Sequence, residues 1–139
     1  MKMQLAIFFA LIGFAAFANG TATYRDAMGQ NQGTSSTSGN RTTYRDAQGR
    51  LQGTAQTSSS GTTYRDASGR LRGSSRTDSS GHTTYRDSTG RLQGTATTDS
   101  SGRITYRDAQ GRLQGTATTD SSGRVTYRDA KGRLHGTKK

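Results

Sequence analysis

The chain has 139 residues, a formal net charge of +11, no cysteine, no proline and no tryptophan, and only 27% hydrophobic residues. Those figures exclude a disulfide framework, a thiolate metal centre and a conventional hydrophobic core. Arginine supplies most of the positive charge and aspartate all of the negative charge, a balance that favours acidic partners such as polysaccharide, an anionic lipid surface or nucleic acid.

Met1 to Gln4 carries one lysine, Leu5 to Phe17 is an unbroken run of apolar residues and glycine, and Ala16-Phe17-Ala18 places small residues at −3 and −1 of a cleavage site. The pattern predicts a secretory signal peptide over residues 1–18, cleaved before Asn19. A run of about thirteen residues falls short of the roughly 20 needed to cross a bilayer, so no transmembrane segment is expected after cleavage. Residues 19–139 are therefore expected outside the cytosol, secreted or at the cell surface, or in the periplasm of a bacterial source.

Past the leader the sequence is one unit repeated six times, a six-unit tandem β-repeat region. Its anchor is Tyr-Arg-Asp at Tyr24, Tyr44, Tyr64, Tyr85, Tyr106 and Tyr127, with spacings of 20, 20, 21, 21 and 21 residues. Each unit carries about one large aliphatic and one aromatic residue, too little to offset an ordering cost of roughly 1–2 kcal/mol per residue alone. The copies must share one apolar strip, or the chain is largely disordered.

Two Asp-x-x-Gly turns, such as Asp108-Ala109-Gln110-Gly111 and Asp120-Ser121-Ser122-Gly123, divide a unit into two segments rich in Thr, Tyr and β-branched residues. Both read as strands, so the expected fold is all-β: strand-turn-strand repeats stacked as a β-hairpin array or β-solenoid. Alternation puts Ile104 and Tyr106 on one face, and sets Leu113 and Ala117 opposite to Gln114, Thr116 and Thr118. If the loop places Tyr106 opposite Leu113, the copies build a core ladder of Tyr24, Tyr44, Tyr64, Tyr85, Tyr106 and Tyr127 with Leu51, Leu71, Leu92, Leu113 and Leu134. A three-residue loop with a glycine bulge would shift that pairing by one and scatter the apolar groups, so the ladder register is preferred. The first copy departs from the rest at Gln30 and Asn31 and the last stops at Lys138-Lys139, as capping units or as drift at the ends of a duplication.

No catalytic constellation is present. His82 and His135 sit at positions held by other residues in sister copies, and one bland site repeated six times is not how catalysis is built. Neither a cofactor nor a metal site is expected, since the aspartates belong to turns or follow Tyr-Arg. The most regular charges are Arg45, Arg65, Arg86, Arg107 and Arg128, a row able to hold a polyanion or simply to be solvated. Sequence-specific nucleic-acid binding is not expected of an exported chain. Asn19 and Asn40 open Asn-x-Thr acceptors that would be glycosylated in a eukaryote. Thr95-Ala96-Thr97 and Thr116-Ala117-Thr118 also fit an ice-binding solenoid, weakly, because other copies lack the pair.

The string Tyr-Arg-Asp-Ala-Gln-Gly-Arg-Leu, followed by Ser-Ser-Gly-Arg and Thr-Tyr, resembles the YD repeat of RHS and teneurin-type surface proteins over residues 24–137. That resemblance implies β-hairpins wound into a spiralling sheet and allows carbohydrate or polyanion binding. The repeat length is also similar, in architecture only, to curli-type subunits. The expected role is structural or adhesive and non-enzymatic, with filaments of the chain itself joined at exposed terminal edges.

Overall fold

The computed structural model describes residues 19–139, and the expected leader lies outside the described residues. Twelve strands follow one another: β1 (Gly20–Asp26), β2 (Asn31–Ser38), β3 (Arg41–Asp46), β4 (Leu51–Ser58), β5 (Gly61–Asp66), β6 (Leu71–Thr77), β7 (His82–Asp87), β8 (Leu92–Thr98), β9 (Ile104–Asp108), β10 (Leu113–Thr119), β11 (Val125–Asp129) and β12 (Leu134–Lys138). Each pairs antiparallel with its neighbours, and β12 returns to pair with β1, closing a barrel. The all-β expectation holds and the largely disordered alternative does not. The open hairpin array or solenoid is corrected to a closed ring of six hairpins, in which neither terminal strand exposes an edge.

Local chemistry explains the hairpins. In β3–β4 the Gly49 N–H donates to the Asp46 carbonyl at 3.0 Å and the Asp46 N–H donates to the Arg50 carbonyl at 2.9 Å. Gly49 has φ of 80°, the left-handed residue that closes a three-residue loop built on a type I turn. Asp46 Oδ1 accepts the N–H groups of Gln48 and Arg50, both at 2.9 Å, which is why the turn opens on Asp. The same loop joins β6–β7, β8–β9 and β10–β11 through Asp78, Asp99 and Asp120. Between β2 and β3, and between β4 and β5, the loop is one residue shorter, with Ser38 paired to Arg41 and Ser58 to Gly61. That difference accounts for repeat spacings of 20 and 21.

The register on either side is untouched. Gly33, Gly53, Gly73, Gly94 and Gly115 face Asp46, Asp66, Asp87, Asp108 and Asp129. Gly136 faces Asp26 in the same way, so the closing joint repeats the internal joints. Because Tyr44 faces Gly53 and Gly53 faces Asp66, two residues past Tyr64, each hairpin advances the register by two. Six such steps make the shear equal to the strand number, a geometry in which strands tilt by about 36°. At all six of these glycines a Cβ would overlap a backbone carbonyl oxygen, that of Arg128 in the case of Gly115 and Arg25 in the case of Gly136. The close approach belongs to the ring as much as to any one hairpin.

The lumen is filled by Tyr24, Tyr64, Tyr85 and Tyr127, which are buried, with Tyr44 and Tyr106 packed against them and Ala55, Ala96, Ala117, Ile104 and Val125 between. Each ring removed from water is worth roughly 4–6 kcal/mol, taking 150–250 Å2 at about 25 cal/mol per Å2 as an upper bound. The expected tyrosine–leucine ladder is corrected. Tyr106 faces Gly115, but Arg107 faces Leu113, because a bulge inserts one residue between them. Leu51, Leu71, Leu92, Leu113 and Leu134 consequently lie outside, 37–43% exposed, each beside an arginine. Glycine, not leucine, stands across from each ring, leaving the concave side of the wall free for the aromatic.

Candidate functional site: an arginine girdle

All six Tyr-Arg-Asp loops fall at one end of the barrel, because odd and even strands alternate in direction around the ring. Tyrosine points inward there, so the next residue points outward. Arg45, Arg65, Arg86, Arg107 and Arg128 thus form a girdle around this end rather than a straight row, and closure adds Arg25 as a sixth member. Each is fixed by the same bond: its Nη1 donates to the carbonyl of Gly49, Gly69, Gly90, Gly111, Gly132 or, for Arg25, Gly29, at 2.8–3.0 Å. The remaining guanidinium edge faces solvent, held in direction but not neutralised by that carbonyl.

A second arginine sits in most of these loops. Arg50, Arg112 and Arg133 donate through Nε to Asp46, Asp108 and Asp129 at 2.8, 2.7 and 2.8 Å. Their guanidiniums are about three-quarters exposed, so such pairs add little stability but fix the loops' charges. At this end twelve arginines and Lys131 stand against six aspartates, leaving a positive rim.

Seven of the aspartates are held ionised by their loops. The Ser101 and Ser122 hydroxyls, then backbone N–H groups, hold Asp99 and Asp120 below the usual carboxylate range. At Asp108 desolvation pushes upward but is outweighed by the backbone and guanidinium of Arg112 and the N–H of Gln110. A carboxylate lowered in the folded state adds stability at pH above its unfolded value of about 3.9, and that stability is lost as pH falls through the folded value. The denaturation midpoint is therefore expected to be level from pH 7 to about 5 and to drop below pH 4. Urea unfolding at pH 7, 4.5 and 2.5 checks this, and an unchanged midpoint at pH 2.5 would show that the loop carboxylates do not support the fold.

Inside, the tyrosines are structural. Tyr24 and Tyr64 hydroxyls bond Ser35 Oγ at 3.0 Å and Ser75 Oγ at 2.8 Å. In the fifth hairpin Ala117 stands in that serine's place, and the Tyr106 hydroxyl is buried without a hydrogen-bond partner, as is that of Tyr127. Lys138 takes the alanine position in the last hairpin, and its Nζ lies 5.9 Å from the Tyr24 ring centroid across the closing joint. Burial lowers its pKa. His82 begins β7 and His135 is the second residue of β12, at opposite ends of the barrel. Among the described residues no group of three His, Cys, Asp or Glu side chains gathers in metal-binding range. Asn40 lies in an exposed turn, and Asn19 Oδ1 accepts the Gly39 N–H at 2.7 Å.

The signal for Arg25 was present in the sequence, since Tyr24-Arg25-Asp26 is intact even where the first copy diverges at Gln30 and Asn31. Comparison with protein-family models and with curated proteins gives no match to this chain, so the resemblance to YD repeats rests on the residues alone.

Proposed function

We propose that the protein is an exported, non-enzymatic adhesive module that binds acidic polymers, such as acidic glycans, through the arginine girdle. The observation that carries this reading is the girdle itself: six equivalent guanidiniums, each oriented by a loop carbonyl, gathered around one positive rim. A repeating polyanion meets several of these at once, so modest single contacts combine into useful avidity. The outward positions of the wall support a water-facing barrel. Thr43 pairs with Thr54, Thr84 with Thr95 and Thr105 with Thr116, with Arg65, Arg107 and Arg128 next to the second member of each pair. A barrel embedded in lipid presents an apolar band instead. Closure also removes the free edges that strand-to-strand filaments would use.

The test is binding of polygalacturonate to the mature chain across a salt series, beside a triple variant with Arg45, Arg107 and Arg128 each changed to glutamine. Affinity is expected to fall at least tenfold between 50 and 300 mM salt and to fall at least tenfold in the variant. Salt-insensitive binding, or equal binding by the variant, would overturn the girdle as the site.

A further inference from the structure

The six-fold pattern is broken on the outer wall of the third and fourth hairpins. At the position where sister copies carry Arg41, Arg103 and Arg124, the third has Gly61. Where they carry Ser36, Gln56, Thr97 and Thr118, it has Arg76. A recess of about 450 Å3 runs from Gly61 across β6 to β7, lined by Asp78 and His82 as well, and a Cβ at Gly61 would overlap the Ser75 carbonyl oxygen, so the β6 backbone lies where a side chain would start. Ser74 pairs with Arg86 and Arg76 with Thr84, so two guanidiniums rise from neighbouring strands on one face of the recess. Arg86 is oriented by its bond to the Gly90 carbonyl at 2.9 Å. Arg76 makes no side-chain hydrogen bond or ion pair among the described residues, and the hydroxyls of Thr63, Ser74 and Thr84 make no side-chain hydrogen bond either.

We infer that this recess binds one anionic sugar residue. Its carboxylate or sulfate would lie between Arg76 and Arg86, and its ring hydroxyls against Thr63, Ser74 and Thr84. The volume suits a mono- or disaccharide, guanidiniums match planar and tetrahedral oxyanions with paired N–H donors, and hydroxyl side chains both give and accept the bonds that sugar hydroxyls need. The girdle treats all polyanions alike, whereas this recess would select for a saccharide. The inference refines the reading of an acidic ligand, but a single sugar has no use for a six-membered girdle, so the two stand or fall by different measurements.

The test is a titration of the isotope-labelled mature chain with D-glucuronate, N-acetylglucosamine 6-sulfate, D-glucose and inorganic sulfate, followed by amide chemical shifts. At least one acidic sugar is expected to saturate a single site per chain, with shifts confined to β5, β6 and β7 and at least tenfold weaker binding of glucose and of sulfate alone. Arg76→Gln should weaken the acidic sugar about tenfold and Arg76→Lys less. The glutamine variant mirrors Gln56 of the second hairpin and should keep the native spectrum elsewhere. Failure of both acidic sugars to bind, glucose binding as well as they do, inorganic sulfate binding as tightly, shifts spread over all six hairpins, or full affinity in a folded Arg76→Gln would each overturn the site. None of these outcomes bears on the polygalacturonate test of the girdle.

Discussion

Replacing Gly115 with alanine is expected to destabilise the protein by about 3 kcal/mol or more, toward the upper end of what overpacking costs. The added methyl would overlap the Arg128 carbonyl oxygen, a backbone atom that cannot turn aside as a side chain would. Relief requires β10 and β11 to move apart, and in a closed ring that displacement must be taken up by the other strands. Gly111, four residues earlier, supplies the contrast. It has φ of 81° and nothing within 4 Å of an added Cβ, so Gly111→Ala should cost only the left-handed backbone penalty of about 1 kcal/mol. Thermal or urea unfolding of both variants reads the difference. Equal losses at the two sites would mean that the strands do not approach as closely at Gly115 as the barrel requires.

Alkali is expected to unfold the barrel in one steep step, with all six phenolates appearing together. Burial raises the pKa of Tyr24, Tyr44, Tyr64, Tyr85, Tyr106 and Tyr127, with Tyr64 pushed up to about 12. The Tyr127 phenol also lies within electrostatic reach of Tyr106, Tyr24, Tyr44 and Tyr85, so each ionisation would hinder the next. A group whose pKa is raised on folding contributes its full stability below the unfolded value of about 10 and loses it as pH climbs toward the folded value. Each such tyrosine removes about 1.4 kcal/mol per pH unit in that window, and six remove roughly 8 kcal/mol, comparable to the 5–15 kcal/mol that holds a domain together. Phenolate absorbance followed with near-ultraviolet circular dichroism should show one cooperative transition above pH 10. Six independent titrations centred near pH 10 would place the tyrosines in water.

The strands, both turns of the unit and the inward face of the tyrosines were legible in the sequence, because each follows from local chemistry: β-branched residues, Asp-x-x-Gly and alternation. Leu113 was misplaced because alternation was counted through a bulge. Leu113 and Gln114 together occupy the space opposite Arg107, and the left-handed Gly111 just before them was the sign of it. Closure was not legible for a different reason. The Gly–Asp pairing that joins one hairpin to the next is satisfied equally by a seventh copy, by another chain or by the first copy, and curvature is not written in any one unit. The supposed caps turn out to flank the closing joint, where Asn31 replaces the exposed leucine and Lys138 replaces an inward alanine. The girdle could be read as a row of charges, but its gathering around one rim depends on closure.

The ring is therefore the claim on which the girdle, the glycine contacts and the tyrosine lumen all depend, and the joint between β1 and β12 tests it most directly. Thr23 and Lys139 exchange both backbone hydrogen bonds, at 2.6 and 3.0 Å, so the neighbouring pair Tyr24 and Lys138 is the non-hydrogen-bonded kind in which Cα atoms approach to about 4.5 Å. A strong nuclear Overhauser contact is predicted between the Hα atoms of Tyr24 and Lys138, equal to the one between Ala117 and Tyr127, and undiminished when labelled chains are diluted with unlabelled ones. A missing contact, or one that appears only between differently labelled chains, would contradict the closed barrel.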